Sequence, residues 1–316
     1  MLTRRLLLSL ATAAALALPA AAQERLTVVA TTGMIADAAR QVGGDLASVT
    51  ALMGPGVDPH SYRQTRSDIV ATARADLVLW NGLYLEAQLE GFLLDLAEDR
   101  AVLAVAEAIP PAQLIGSEDY DDQFDPHVWM NPELWSRVVL ATRDAMIDVH
   151  PEAAEVFTAN ADAHLEELSD LADYARTVLT SVPPERRVLV TAHDAFNYFG
   201  AAYGFEVVGI QGLSTESEAG LQRISELVDL LVARDIGAVF VESSVSDRNI
   251  RALIEGAAAQ GHTVTIGGEL YSDAMGPEAT YEGTYLGMID HNVTVIARAL
   301  GGTAPAQGRI DELAMN

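Results

Sequence analysis

The chain has 316 residues, of which half are hydrophobic, and it carries a formal net charge of -26 with no cysteine. This length allows two ordinary domains with sizeable cores, while the acidity argues against nucleic acid and anionic membrane surfaces as partners. The lack of cysteine excludes disulfides and thiolate ligands, so any bound metal ion meets only nitrogen and oxygen.

The first 22 residues predict a cleaved secretory signal peptide. Arg4 and Arg5 precede the apolar run 6–18, and small residues at 20–22 form a cleavage site. General secretion is the favoured route, and twin-arginine export is the alternative. Cleavage removes both arginines and changes the formal charge from -26 to -28. No later run reaches the roughly 18 apolar residues of a membrane helix, so we expect a soluble periplasmic protein without a lipid anchor.

Short β-rich runs alternate with helical stretches along the rest of the chain. The candidate strands are residues 26–30, 48–52, 77–80 and 102–105, and then 188–192, 206–210, 238–242 and 263–266. Strict alternation predicts parallel sheets covered by helices on both faces. The predicted fold class is therefore α/β with two lobes, each a parallel sheet flanked by helices, over residues 23–150 and 183–316.

Residues 151–182 predict one long helix between the lobes. Its apolar residues recur every three or four positions, at Phe157, Ala161, Leu165, Leu168, Ala172, Ala175 and Leu179. About 30 residues make a helix roughly 45 Å long, which is enough to contact both lobes as a spine. The alternative is two shorter helices with a break near His164. We expect each lobe to have its own core.

The tripeptide Asp-Pro-His occurs twice, at residues 58–60 and 125–127. Proline restricts its own backbone and that of the preceding residue, so His60 and His127 leave the chain in a defined direction. A single loop histidine more often caps a turn, but here His193 follows a candidate strand, and so does Asp273. Because ligands bind at the carboxyl ends of parallel strands, we expect these four side chains, two from each lobe, to meet between the lobes.

Three imidazoles and one carboxylate complete the shell of a four-coordinate metal ion, or of a five-coordinate ion if the carboxylate binds through both oxygens. A complete shell holds or carries its ion, whereas a catalytic zinc keeps one position open for water. Asp58, Asp125 and Asp194 can each accept a ring N–H of a neighbouring histidine, or they serve only as turn and cap residues. Glu242 is a candidate neighbour or alternative ligand, or only a strand-end cap.

Five motifs together resemble the zinc and manganese solute-binding proteins of ABC importers. They are Asp58-Pro59-His60, Asp125-Pro126-His127-Val128-Trp129, Thr191-Ala192-His193-Asp194-Ala195-Phe196 with Tyr198-Phe199, Ser214-Thr215-Glu216-Ser217-Glu218-Ala219-Gly220, and Gly267-Gly268-Glu269-Leu270-Tyr271-Ser272-Asp273-Ala274-Met275-Gly276. The resemblance covers the mature chain. It implies two α/β lobes joined by one long helix, metal ligands at His60, His127, His193 and Asp273, and delivery of the ion to an inner-membrane permease driven by an ATPase. We expect a monomer.

Two departures from this family leave the ion open between zinc, manganese and iron. Zinc-dedicated members often have a histidine-rich loop where residues 116–125 here contain five acidic residues and no histidine, and many manganese members have Glu at the position of His193. Two rival hypotheses remain. A secreted metal-dependent hydrolase would use Glu242 as general base, although the His-Glu-x-x-His motif is missing. A binding protein for an organic solute would need a roomy pocket.

Overall fold

The computed structural model describes residues 25–117 and 123–310, which form two α/β lobes around one long helix. The predicted signal peptide lies outside the described residues, as does the centre of the acidic loop. The described ends of that loop pair with each other through an antiparallel bridge between Gly116 and Phe124. Within the described ranges, no helix has both the length and the apolar character required to cross a membrane.

The N-terminal lobe is built on a four-stranded parallel sheet with the order β2-β1-β3-β4. Its strands are β1 (Leu26–Ala30), β2 (Ala47–Ala51), β3 (Leu77–Trp80) and β4 (Val102–Ala104). Its helices are α1 (Gly33–Gly43), α2 (Arg66–Arg74), α3 (Glu90–Ala97) and α4 (Pro132–Val149). All residues of β3 are buried, as is typical of a parallel strand covered on both faces. The predicted strands of this lobe are confirmed to within one residue at each end.

The spine helix α5 runs from Ala154 to Thr180, after a 3-10 turn at Pro151–Ala153. The helix is unbroken, so the alternative of two helices with a break near His164 is wrong. Its 27 residues correspond to about 40 Å. The buried face differs from the predicted stripe at one step, because His164 is buried while Leu165 is only partly buried.

The C-terminal lobe contains two pairs of parallel strands, β5 with β6 and β7 with β8, and β5 also lies beside β7. Its strands are β5 (Val188–Thr191), β6 (Glu206–Gly209), β7 (Ala238–Glu242) and β8 (Thr265–Leu270). Its helices are α6 (Asn197–Tyr203), α7 (Leu221–Ala233), α8 (Arg248–Ala259) and α9 (Tyr285–Ala299). Helices thus cover this lobe's parallel strands as they do in the first lobe.

The last predicted strand, residues 263–266, is wrong in its bounds, since β8 extends to Leu270. Gly267 and Gly268 lie beyond the predicted end of this strand. In the structure both residues lie within β8. Position 268 requires glycine because α9 packs so closely on the strand that a Cβ atom there would clash with Val295. The register of the β7–β8 ladder also shifts at this point. Asp273 therefore lies three residues beyond the end of its strand.

One apolar cluster runs through both lobes, which differs from the expectation of separate cores. It includes Val28 of β1, Leu168 of the spine and Phe240 of β7. Two smaller clusters lie in the individual lobes. The spine helix and α9 contribute apolar residues to the shared cluster, which thereby joins the two lobes. The domain boundaries at residues 150 and 183 remain a prediction.

Candidate metal centre

The structure brings together all four predicted side chains between the lobes. His60 and His127 come from loops of the N-terminal lobe, while His193 and Asp273 follow β5 and β8. One donor atom from each lies within 4.8 Å of the others. At most 4% of any of the four residues is exposed. Burial of so many polar groups costs free energy unless a partner compensates them, so this cluster needs a ligand or internal pairing.

The donor atoms face one another at distances that suit a single small cation. Nε2 of His60 lies 3.2 Å from Nε2 of His127. The carboxylate oxygens of Asp273 lie 3.4 Å from Nε2 of His127 and 3.2 Å from Nε2 of His193. Four donors placed 2.0–2.1 Å from a tetrahedral zinc ion would be about 3.3 Å from each other. Among the described residues, Nε2 of His193 and Oδ1 of Asp273 have no hydrogen-bond partner, so both are available to an ion.

Asp125 fixes the orientation of His127. Its Oδ1 accepts the backbone N–H of His127 at 2.9 Å and lies 2.8 Å from ring Nδ1. An ionised carboxylate can only accept, so Nδ1 must carry the hydrogen, and Nε2 is the ring nitrogen that faces the site and can bind an ion once its own proton is lost. From the other lobe, Asn197 donates to Oδ2 of Asp125 at 3.1 Å. The prediction that Asp125 accepts the ring N–H fits this geometry.

Glu242 fixes the orientation of His193, as Asp125 fixes that of His127. Its Oε1 accepts the backbone N–H at 3.0 Å and its Oε2 lies 2.6 Å from ring Nδ1. Both oxygens of Glu242 thus accept from His193, and Glu242 is not among the donor atoms that face one another at the centre of the site. This geometry favours a role in orienting His193 over the roles of metal ligand and general base. The same carboxylate device thus orients one histidine in each lobe.

Asp58 contacts the backbone of His60, which fits the turn role that was its alternative, while a contact of Asp194 with the ring of His193 stays a prediction. Asp58 accepts the backbone N–H of His60 at 2.9 Å, in a local turn that competes with any contact to the ring. Its other oxygen accepts the hydroxyl of Thr215 from the opposite lobe at 2.6 Å. Asp194 accepts the backbone N–H of Gly209. Asp58 thereby links the loop of His60 to the C-terminal lobe.

The charges around the site shift the pKa values of its members. Burial lowers the pKa of His60 to about 3. Burial also acts to lower the pKa of His127, but the carboxylates of Asp125 and Asp273 outweigh it and raise the pKa to about 9. At His193, the carboxylates of Asp273 and Glu242 outweigh burial and raise the pKa. At Asp273, the neighbouring histidines outweigh burial and lower the pKa. Three carboxylates around three imidazoles therefore favour positive charge at the centre.

Sequence reasoning missed the buried carboxylate of Glu86, which supports the same edge of the sheet. Glu86 accepts the hydroxyl of Thr31 at 2.6 Å and the backbone N–H groups of Asn81 and Gly82. Burial raises its pKa to about 7. The side chain of Asn81 donates to the carbonyl of Pro126, next to His127. Nothing in the local sequence distinguishes Glu86 from a surface glutamate, because its donors come from two different strand ends.

The space around the four residues is small. A cavity of about 50 Å³ reaches His60 between Tyr84, Phe124 and Glu216. Another of about 50 Å³ reaches Asp273 from the side of Arg40. Pockets for organic ligands usually have roughly 300–1,000 Å³. The site therefore suits a bare ion and does not suit an organic solute.

Two parallel-sheet lobes around a spine helix, with a buried set of nitrogen and oxygen donors between them, define the class of metal solute-binding proteins. The model of the family described as "ZnuA: Zinc-uptake complex component A periplasmic" matches residues 28–299. The chain belongs to this family.

Similar proteins cover nearly the whole chain. It is 50% identical to the "Manganese-binding lipoprotein MntA" of Bacillus subtilis (strain 168) over 279 residues, which are 88% of this chain and 91% of that protein. It is 46% identical to the "Zinc-binding protein TroA" of Treponema pallidum over 281 residues, 89% and 91% of the two chains. A solved structure of the Treponema pallidum protein has a TM-score of 0.85 over 87% of this chain and 99% of that one.

This membership makes the chain a binding component of an ABC importer for metal ions and not an enzyme. The hydrolase hypothesis receives no support from the relatives, and the two contacts of Glu242 with His193 argue against it on geometry. Proteins of this kind work with a permease and an ATPase and are found outside the cytoplasmic membrane.

Proposed function

We propose that the chain captures one Zn²⁺ or Mn²⁺ ion with His60, His127, His193 and Asp273 and delivers it to the permease of its importer. One observation supports the proposal above all: three imidazoles and one carboxylate, from both lobes, have donor atoms within 4.8 Å of one another and are almost fully buried. A shell rich in imidazole favours transition metals over Mg²⁺ and Ca²⁺, which prefer oxygen. A shell completed by protein holds an ion without reacting.

The two relatives are named for different ions. The Bacillus protein is named for manganese and the Treponema protein for zinc, and both are similar to this chain to nearly the same extent. At equilibrium a nitrogen-rich site binds Zn²⁺ more tightly than Mn²⁺ whatever the cell imports. We therefore propose that both ions bind and that availability in the periplasm decides which one is carried.

We further propose that the protein acts as a monomer in the periplasm and has no lipid anchor. The signal-like segment at residues 1–22 supports the location, and the absence of cysteine from the sequence supports the lack of an anchor. The monomer is proposed because one chain supplies all four donors of the site. The Bacillus relative is named a lipoprotein, so anchoring differs within the family on this proposal. Fractionation of cells and sedimentation of the purified protein test the location and the monomeric state.

Equilibrium dialysis tests the proposed capture directly. Metal-free protein should retain one equivalent of zinc or of manganese after dialysis, measured by elemental analysis. Mass spectrometry under native conditions should find no organic ligand. Retention of no transition metal, or of several equivalents with equal strength, would contradict a single four-ligand site.

Replacement of His193 tests what sets ion preference. Carboxylate suits Mn²⁺ better than imidazole does, but His193→Glu alone would press a second carboxylate against Glu242, 2.6 Å from the present ring nitrogen. We therefore expect the double variant His193→Glu/Glu242→Gln to lower the zinc-to-manganese affinity ratio by about tenfold, or 1.4 kcal/mol. Competitive titration at one pH measures it, with Glu242→Gln as the matched control. An unchanged ratio would mean that ligand type at this position does not set preference.

A further inference from the structure

The indole of Trp129 makes a hydrogen bond between the lobes, directly beside two of the proposed ligands. Its Nε1–H donates to the backbone carbonyl of Ser272 at 2.8 Å, in a fully buried position. Trp129 lies two residues after His127, and Ser272 immediately precedes Asp273. The bond therefore joins the segments that carry one ligand from each lobe.

A second bond returns from the C-terminal lobe to the same residue. The hydroxyl of Tyr285, the first residue of α9, donates to the backbone carbonyl of Trp129 at 2.7 Å. Tyr285 is itself held across the lobes, because its backbone N–H donates to Asp37 of α1 at 3.0 Å. We call the Trp129–Ser272 and Tyr285–Trp129 bonds the interlobe pair.

The interlobe pair restricts both backbones next to the site. The ring of Trp129 also lies edge-on to the ring of His127, with centroids 5.2 Å apart. His127 can therefore neither withdraw from Asp273 nor turn without disturbing a buried bond. A buried carbonyl that loses its donor is costly, which makes this restraint stiff, and a restrained site loses less freedom when it binds its ligand.

We infer that Trp129 is a positioning residue that sets the separation of His127 and Asp273 before the ion arrives. The inference rests on the proposed function. It adds that Trp129 holds His127 and Asp273 at the separation that a bound ion requires. It predicts that loss of the indole N–H weakens metal binding even though Trp129 offers the ion no donor atom.

The test compares Trp129→Phe with Trp80→Phe. Both variants keep an aromatic ring and remove a buried indole, but Trp80 lies at the end of β3 in a separate apolar cluster. The probes are zinc affinity by competition with a chelator, the visible spectrum of bound Co²⁺, which reports its coordination geometry, and melting of the metal-free protein. We expect about tenfold weaker zinc binding and shifted Co²⁺ bands in Trp129→Phe, with neither change in Trp80→Phe.

Two outcomes of this comparison contradict the inference. If Trp129→Phe lowers only the melting temperature and leaves zinc affinity and the Co²⁺ spectrum unchanged, the residue is merely structural. An equal effect of Trp80→Phe would mean that any core indole matters. If Trp129→Phe does not fold, Tyr285→Phe removes the other bond of the pair and should show the same loss in weaker form. If wild type binds no zinc, the proposed function fails and the inference fails with it. If wild type binds zinc and both Trp129→Phe and Tyr285→Phe bind it equally well, the inference alone fails.

Discussion

Asp273→Asn is expected to lower the affinity for zinc and manganese by about 1,000-fold. Asp273 is the only anion among the four proposed ligands, and it contacts both His127 and His193. At an effective dielectric constant of about 20, one unit charge about 4 Å from another is worth about 4 kcal/mol, and a dication gains at least that from a carboxylate ligand. An energy of about 4 kcal/mol corresponds to about three decades in Kd. Competition titration measures the change.

The control for this variant is Asp247→Asn, which removes one exposed negative charge that pairs with Arg251. It should leave affinity unchanged, since a distant surface charge is screened. The metal-free Asp273→Asn protein should also be less stable at neutral pH. Folding holds the pKa of Asp273 well below its usual 3.8, so the ionised carboxylate stabilises the fold above about pH 4 and that contribution is lost as pH falls. Wild-type affinity in Asp273→Asn would remove this residue from the ligand set.

Zinc should raise the melting temperature of the wild-type protein strongly, and manganese should raise it too. An ion that binds only the folded state stabilises it by RT ln(1 + [L]/Kd), or about 4 kcal/mol when free metal is 1,000 times Kd. For a chain of this size that corresponds to roughly 6 °C. Calorimetry of the metal-free protein, with each ion added at equal free concentration, measures the shift.

Magnesium and calcium serve as the internal controls for the melting experiment. They prefer shells of oxygen ligands, so three imidazoles should give them almost no stabilising effect. A chelator should return the zinc-loaded protein to the metal-free melting temperature. An equal shift with magnesium would show that the increase comes from general screening of an acidic protein and not from the four donors.

The sequence predicts the ligand set and most of the fold because the relevant signals are local. Buried parallel strands appear as short apolar runs, and the side chain that follows such a run lies at the ligand-binding edge, as His193 does after β5. Proline at 59 and at 126 marks the other two histidines. These features need only neighbouring residues to be recognised.

The rest of the site depends on contacts between distant residues. Asp194 is next to His193 in the chain, but the ring is held by Glu242, which is 49 positions away. Gly267 and Gly268 extend β8 beyond the predicted strand, and the close packing of α9 against Gly268 is not visible in the local sequence. His164 is buried on the spine helix, which packs on α1, α4 and α9 together, whereas Leu165 is only partly buried. None of these partners is encoded by local spacing.

X-ray absorption at the zinc edge tests the central claim most directly, with wild type and His127→Ala each loaded with one equivalent of zinc. In wild type we predict three imidazole nitrogens and carboxylate oxygen at about 2.0–2.2 Å, with no shell of water ligands. In His127→Ala one imidazole should be lost and replaced by a water oxygen. A wild-type shell composed mainly of oxygen, or the same number of imidazoles in both proteins, would contradict a site made by His60, His127, His193 and Asp273.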